Sequence, residues 1–248
     1  MSEITNAAAY QFVPLADLPT LRERLRVRAD ELGLMGTVLL SPEGISLFVA
    51  GSASAVDAFL TTVRALPGLA KLKAKLSLSE HQPFGHMKVK LKREIIAFGV
   101  EGIDPARKPA PKISPRTLKQ WLDQGKKLTL LDTRNTYEVA AGTFRGALNP
   151  NIRTFREFPQ AVKRLPPEVK DNPVVMFCTG GIRCEKAAIY MKDLGYQRVY
   201  QLEGGILKYF EETDGSHYHG GCFVFDERRA LGADLLTVGL AAGAETST

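Results

Sequence analysis

The stretch CTGGIRCEKA, Cys178–Ala187, decides the fold, because it follows directly on the apolar run NPVVMFC. A short run rich in Val, Met and Phe reads as a buried strand, and RCEKAAIYMKDLG after the glycines reads as a helix. Strand, tight glycine loop and helix together make an α/β unit. In an open α/β sheet, ligands bind beyond the carboxyl ends of the strands, where loops lead into helix N-termini. Cys178 stands at that edge. The loop Thr179, Gly180, Gly181, Ile182, Arg183 lets successive N–H groups point at one centre, the helix N-terminus adds positive partial charge, and Arg183 adds a guanidinium. A sulfur there is held as thiolate, since such surroundings depress a cysteine pKa from about 8.5 toward neutrality. A structural cysteine before an ordinary glycine turn is the plainer alternative. The combination of strand, double glycine, Arg and helix favours the reactive one.

Outward from this loop the same alternation continues. SPRTLKQWLDQG opens with Ser114 as N-cap and Pro115 at the first helical position. The runs KLTLLDTR, NPVVMFC and RVYQLEGG alternate with the helical stretches TYEVAAG, FREFPQAVKRL and RCEKAAIYMKDLG, which predicts a central parallel sheet flanked by helices. The N-terminal part reads differently: a strand QFVPL from Gln11, a helix capped by Asp17, two strands joined by Ser41, Pro42, Glu43 and Gly44, a second helix ending at Pro67 and Gly68, and the strand KLKAKLSLSE. That order, βαββαβ, predicts a ferredoxin-like domain. Pro105, Pro109, Pro111 and Pro115 fall together and read as a linker. The expected organisation is a basic ferredoxin-like domain over 1–100, a linker over 101–115, an α/β domain over 116–225 and a tail over 226–248.

The chain has 248 residues, 44% of them apolar, enough for two ordinary cores. Its net charge of +6 is concentrated. Lys71, Lys73, Lys75, Lys88, Lys90, Lys92 and Arg93 face a single acid, Glu80, within one segment, and this accounts for the whole excess. Each lysine run alternates with apolar residues, so one face of each strand is basic. As neighbours, the two strands would form a surface that neutralises RNA phosphates and releases their counterions; lysines guarding a sheet edge are the alternative. Phe84, His86 and Met87 between them serve either to stack on a base or to support the loop. Three cysteines, two in one loop, argue against a disulfide scaffold and for the reducing cytoplasm. The first twenty residues carry acids and prolines where a signal peptide needs an apolar core, and no stretch approaches eighteen apolar residues, so no membrane is expected.

The spacing Cys178-x4-Arg183, between a strand and a helix, resembles the active-site loop of rhodanese-like domains. LLDTRNTYEVAAGTFRGALNPN, Leu130–Asn151, is similar to the same superfamily's Asp-x-Arg, Glu, Gly-x-x-x-Gly-Ala pattern, with Thr143 where many members carry His. Asp132 and Arg134 at a strand end read as a tie between loops, a scaffold role for Asp132 and an open one for Arg134. Cysteine-dependent phosphatases use a loop one residue longer, which suits a larger oxyanion.

The full run CTGGIRCEKA, the basic module ahead of it, SPEGIS near the start and GGCFVFDERRAL near the end together resemble the rhodanese-like, oxygen-dependent tRNA uridine hydroxylases. The resemblance implies tRNA as partner, hydroxylation of the wobble uridine to 5-hydroxyuridine, molecular oxygen as co-substrate and Cys178 as the catalytic residue. No flavin, haem, nicotinamide or non-haem iron motif is recognised. Longer relatives carry a cysteine-rich tail after the FDERRAL-like segment, which is lacking here. Cys184 has two readings: it resolves an oxidised or persulfidated Cys178 as a disulfide, or it is a small buried group. His217, His219 and Cys222 in HYHGGC offer three metal ligands without a fourth, so no metal is expected. Two other functions stay open: a sulfurtransferase working through a Cys178 persulfide, and a non-catalytic RNA-binding or regulatory module, against which Cys178 and Arg183 count.

Overall fold

The computed structural model describes residues 3–239, and the chain separates into two compact units between Ala97 and Phe98. The first unit runs β1 (Ile4–Phe12), α1 (Leu18–Glu31), β2 (Met35–Ser41), β3 (Gly44–Gly51), α2 (Ala53–Arg64), β4 (Ala74–Ser79) and β5 (Met87–Leu91). These five strands form one sheet in the order β4-β1-β3-β2-β5, antiparallel except that β5 runs parallel to β2. The ferredoxin-like βαββαβ order is present, with β5 added beyond it. The Asp17 carboxylate accepts from the Thr20 N–H, and Ser52 caps α2 by accepting from the Ala55 N–H at 3.2 Å. α2 buries Val56, Phe59, Leu60 and Val63, a stripe at helical spacing, against Ala7, Ala9, Leu47 and Val49 of the sheet. The first strand begins at Ile4 rather than Gln11: ITNAAAYQF carries its inward pattern on alanines, whose small side chains give little hydrophobic contrast in sequence.

The lysine stripes are not neighbours. Lys71 and Lys73 precede β4, in the turn held by buried Leu69 and Leu72, and only Lys75 lies within the strand. β4 and β5 then occupy opposite edges of the sheet, separated by three strands. Order along the chain does not give order across a sheet, and the two basic runs are therefore split. The register nevertheless places Lys75, Ala8, Phe48, Thr37 and Lys88 in one row across all five strands. That row lies on the face opposite Ala7, Leu47 and Val38, the residues packed against the helices. Lys88, Lys90, Lys92 and Arg93 are exposed.

The second unit runs β6 (Lys112–Ile113), α3 (Pro115–Asp123), β7 (Thr129–Asp132), α4 (Thr136–Ala141), β8 (Gly142–Phe144), α5 (Phe158–Val162), β9 (Val174–Phe177), α6 (Ile182–Asp193), β10 (Val199–Leu202), α7 (Gly205–Glu212), β11 (Tyr218–Gly220), β12 (Cys222–Phe223) and β13 (Ala230–Leu231). Its main sheet is wholly parallel, in the order β6-β10-β9-β7. β8 pairs with β11 and β12 with β13, both antiparallel. β9, the central strand of the chemistry, is buried along its whole length. Phe144 sits in the core with its ring 4.9 Å from Phe177 and 4.8 Å from Tyr209.

Two expected boundaries shift. The segment 101–115 contains β6, whose Ile113 is buried in the core, so part of it is sheet rather than linker. Prolines hide such a strand in sequence, yet an edge strand tolerates them, and the Pro111 carbonyl accepts from the Gln201 N–H at 2.9 Å. The segment after 225 contains β13, whose buried Ala230 and Leu231 belong to the second unit. Residues 240–248 of the expected tail lie outside the described residues. Among the described residues no helix is long and apolar enough to cross a membrane.

Candidate active site

Cys178 follows the last residue of β9 and is 1% exposed. Its Sγ accepts the Gly181 N–H at 3.1 Å. Gly181 has φ +102° and caps α6, a left-handed conformation that favours glycine and turns the loop amides inward. Burial pushes the Cys178 thiol up. A hydrogen bond from Cys184, the Arg183 guanidinium and the Arg183 and Gly181 amides outweigh it, bringing the pKa down to about 6. Cys184, in the first turn of α6, is pushed well up by burial and by Cys178 beside it, and so stays a thiol. Its Sγ lies 3.6 Å from Thr133 Oγ1, which donates to the Phe177 carbonyl at 3.0 Å.

Arg183 is buried and paired. Its Nη1 lies 3.0 Å from Glu138 Oε1 and its Nη2 2.9 Å from Glu138 Oε2. Glu138 is fully buried, and its Oε2 also accepts the Asn135 N–H at 3.1 Å at the start of α4. One carboxylate thus both starts a helix and holds the arginine of the cysteine loop. The field that Arg183 exerts on Cys178 comes from a guanidinium fixed in place from behind.

Asp132 and Arg134 form a second buried pair at the end of β7, with Nε–Oδ1 at 2.9 Å and Nη2–Oδ2 at 2.7 Å. Arg134 Nη2 also donates to the Gly142 carbonyl at 2.6 Å, and Thr143 Oγ1 donates to Asp132 Oδ2 at 2.7 Å. The Tyr218 hydroxyl reaches the same Gly142 carbonyl at 2.8 Å. The pair therefore ties β7, β8 and β11 together. Arg134, left open on sequence grounds, is enclosed by this tie.

The front of the loop is bounded by the segment after β11. Thr179 Oγ1 donates to the Phe223 carbonyl at 3.2 Å. The Phe223 ring lies 5.3 Å from Tyr137 and 5.4 Å from Phe225, each edge to face, and the Arg183 guanidinium lies 5.6 Å from the Phe225 ring. On the Gly180 side there is open space.

Residues 4–95 match the UPF0176 acylphosphatase like domain, and residues 114–212 match the Rhodanese-like domain. A tRNA uridine(34) hydroxylase of Thiobacillus denitrificans is 52% identical, with the match covering 95% of this chain and 97% of the relative. One of Variovorax paradoxus is 56% identical over 95% of this chain and 91% of the relative. The chain belongs to the tRNA uridine(34) hydroxylase family. A solved rhodanese-like domain from an Anabaena species is 22% identical, covers 44% of this chain and 79% of its own, and superposes with a TM-score of 0.37.

Within this member of the tRNA uridine(34) hydroxylase family, the HYHGGC residues do not converge. His217 Nε2 lies 2.7 Å from Asp123 Oδ1, His219 is exposed on β11, and Cys222 is buried, its thiol pushed up by that burial to about 12. Among the described residues no group of three His, Cys, Asp or Glu is placed to hold a metal ion. Two site residues have no role in the sequence reading. Glu138 is the Glu of the Asp-x-Arg, Glu pattern, and its spacing from Asn135 is that of a helix cap, which gives no hint of its arginine. Gly205, at the end of RVYQLEGG, reads as a strand end. In the structure it has φ +65° and starts α7, and a Cβ there would lie 2.4 Å from the Cys178 carbonyl oxygen. The Ile206 and Leu207 amides donate to the carbonyls of Cys178 and Thr179 at 3.0 and 3.1 Å. The doubled glycine after an apolar strand was the available signal.

Proposed function

We propose that this chain hydroxylates the wobble uridine of tRNA at C5, giving 5-hydroxyuridine, with Cys178 as the catalytic thiolate and molecular oxygen as co-substrate. The observation that carries this reading is the likeness, at 52% and 56% identity across both units, to proteins named tRNA uridine(34) hydroxylase. The cysteine loop supports it chemically. A thiolate with a pKa near 6 is ionised at neutral pH without an adjacent general base. Replacing C5–H by C5–OH with one atom of dioxygen takes two further electrons and two protons, which a two-electron reductant separate from this chain must supply, and releases the second oxygen atom as water. In this reading Thr179, Gly180, Gly181, Ile182 and Arg183 shape the thiolate site, Cys184 donates to the thiolate, and Asp132 and Arg134 hold the strand ends that frame it.

The RNA handle in this reading is the β5 edge: Lys88, Lys90, Lys92 and Arg93, with Lys75 on the same sheet face. Lys71 and Lys73 stand apart from it, ahead of β4. A tRNA substrate also puts the working protein in the cytoplasm.

A sulfurtransferase carrying a Cys178 persulfide is the second reading. The Gly181 amide on the sulfur favours it, because the same cradle would stabilise a terminal persulfide anion. Nucleoside mass spectrometry of tRNA from cells with and without the gene, grown with and without oxygen, tests the two. Oxygen-dependent 5-hydroxyuridine derivatives that vanish with the gene support hydroxylation. Thiolated uridine that vanishes instead supports sulfur transfer.

A further inference from the structure

The aromatic residues bounding the cysteine loop are not explained by the core. Phe144, Phe177, Tyr209 and Tyr218 fill the interior of the second unit, whereas Tyr137 and Phe223 are half-buried. They meet edge to face at 5.3 Å, and the Tyr137 hydroxyl is fixed by a 3.3 Å hydrogen bond from Asn135 Nδ2. Tyr137 is two residues from Asn135 and one from Glu138, so the turn that holds Arg183 also sets this ring. Phe223 is joined to the cysteine loop through Thr179. Beside that loop lies the open space at Gly180. The observations combine open space at Gly180, a fixed pair of half-buried rings joined to the cysteine loop through Thr179, and a positive side chain in the same loop.

Unpaired bases in RNA loops are held by stacking on aromatic side chains, and an enzyme acting on a base takes that base out of its stack. We infer that Tyr137 and Phe223 form the platform against which the uracil ring of the substrate stacks as it enters beside Gly180 toward Cys178. The inference rests on the hydroxylase reading for its substrate and adds the residues that receive the base. Tyr137 contributes its ring face, Phe223 sets the ring's angle, and the Asn135 bond removes the rotational freedom that stacking would otherwise have to freeze. Neither residue takes part in bond making.

The test is a binding cycle. Dissociation constants are measured for wild type, Tyr137→Leu and Tyr137→Phe with tRNA carrying either uridine or an abasic site at position 34. Stacking of one base is worth about 1–3 kcal/mol, so wild type should favour the uridine form by about 5- to 150-fold. Tyr137→Phe, which keeps the ring and loses the Asn135 bond, should lower that ratio only partly, and Tyr137→Leu should bring it close to one while phosphate-dependent affinity for the abasic form is unchanged. Phe223→Leu should shrink the ratio too and decides the matter if Tyr137→Leu does not fold. An unchanged ratio in the leucine variants, or a wild-type ratio of one, overturns the platform. Formation of 5-hydroxyuridine is scored separately in wild type. A protein that discriminates the base yet makes no 5-hydroxyuridine keeps the platform and loses the hydroxylase reading.

Discussion

Arg183 and Glu138 are joined at two points, Nη1 to Oε1 at 3.0 Å and Nη2 to Oε2 at 2.9 Å, with both side chains buried. The arginine of the cysteine loop therefore reaches Cys178 as part of an ion pair anchored on α4. Breaking a buried pair by removing one partner costs about 3–5 kcal/mol, because the other charge is left unpaired. Arg183→Gln should lose stability on that scale in denaturant titration and raise the Cys178 pKa above about 6, since a stabilising positive charge is gone. Adding Glu138→Gln should recover much of the stability and leave the pKa raised. If the double variant is no more stable than the single one, the pair is not what Glu138 is for.

The pH dependence of alkylation should separate the cysteines. The thiolate is the nucleophile, so labelling of Cys178 by iodoacetamide should rise with pH through a midpoint near 6, the value its cradle gives it. Cys222, pushed up to about 12, should stay unlabelled throughout the neutral range in folded protein. Cys178 labelling that rises only above about pH 8 would mean that burial, the opposing influence, wins.

Cys184 is poised between two roles that one substitution divides. Cys184→Ser should raise the Cys178 labelling midpoint by less than Arg183→Gln does, because a hydroxyl still donates to the thiolate. Near-normal turnover in this variant identifies a hydrogen-bond donor. Loss of turnover, with the fold intact and the midpoint raised no further than this, identifies a thiol that must be oxidised to a disulfide with Cys178.

Two glycines of the site should respond in opposite ways to alanine. At Gly205 the methyl would sit 2.4 Å from the Cys178 carbonyl in a backbone with φ +65°, so Gly205→Ala should cost about 1–3 kcal/mol of stability and disable the loop. Gly180 faces open space, and Gly180→Ala should melt within a few degrees of wild type. Thermal melts of the two compare them directly.

On the first unit, Lys88→Glu with Lys90→Glu should weaken tRNA binding and lower the salt slope by about 1.4–1.8, the loss of two phosphate contacts at roughly 0.7–0.9 each. The exposed side chains of β5 tolerate the change. A wild-type slope in the variant moves the RNA surface elsewhere.

These residues show which parts of the protein are readable in its sequence. The parallel sheet and the cysteine loop were legible because β9 is apolar throughout and the glycines announce the turn after it. The position of Asp17 as a cap was legible for the same local reason. Strand order was not. Lys75 and Lys88 stand thirteen positions apart in sequence and three intervening strands apart in space, since long-range pairing alone sets where an edge lies. Glu138 and Gly205 were hidden likewise: each has a sufficient local explanation, as a cap or a strand end, and its second role depends on a partner 45 residues away for Glu138 and on the backbone of Cys178 for Gly205.

The most direct test of the central claim is the nucleoside composition of tRNA from a strain lacking the gene, complemented with wild type or with Cys178→Ser and grown with or without oxygen. The account predicts 5-hydroxyuridine derivatives only with wild type and oxygen together. Those products persisting at wild-type level with Cys178→Ser, or appearing equally without oxygen, would contradict it.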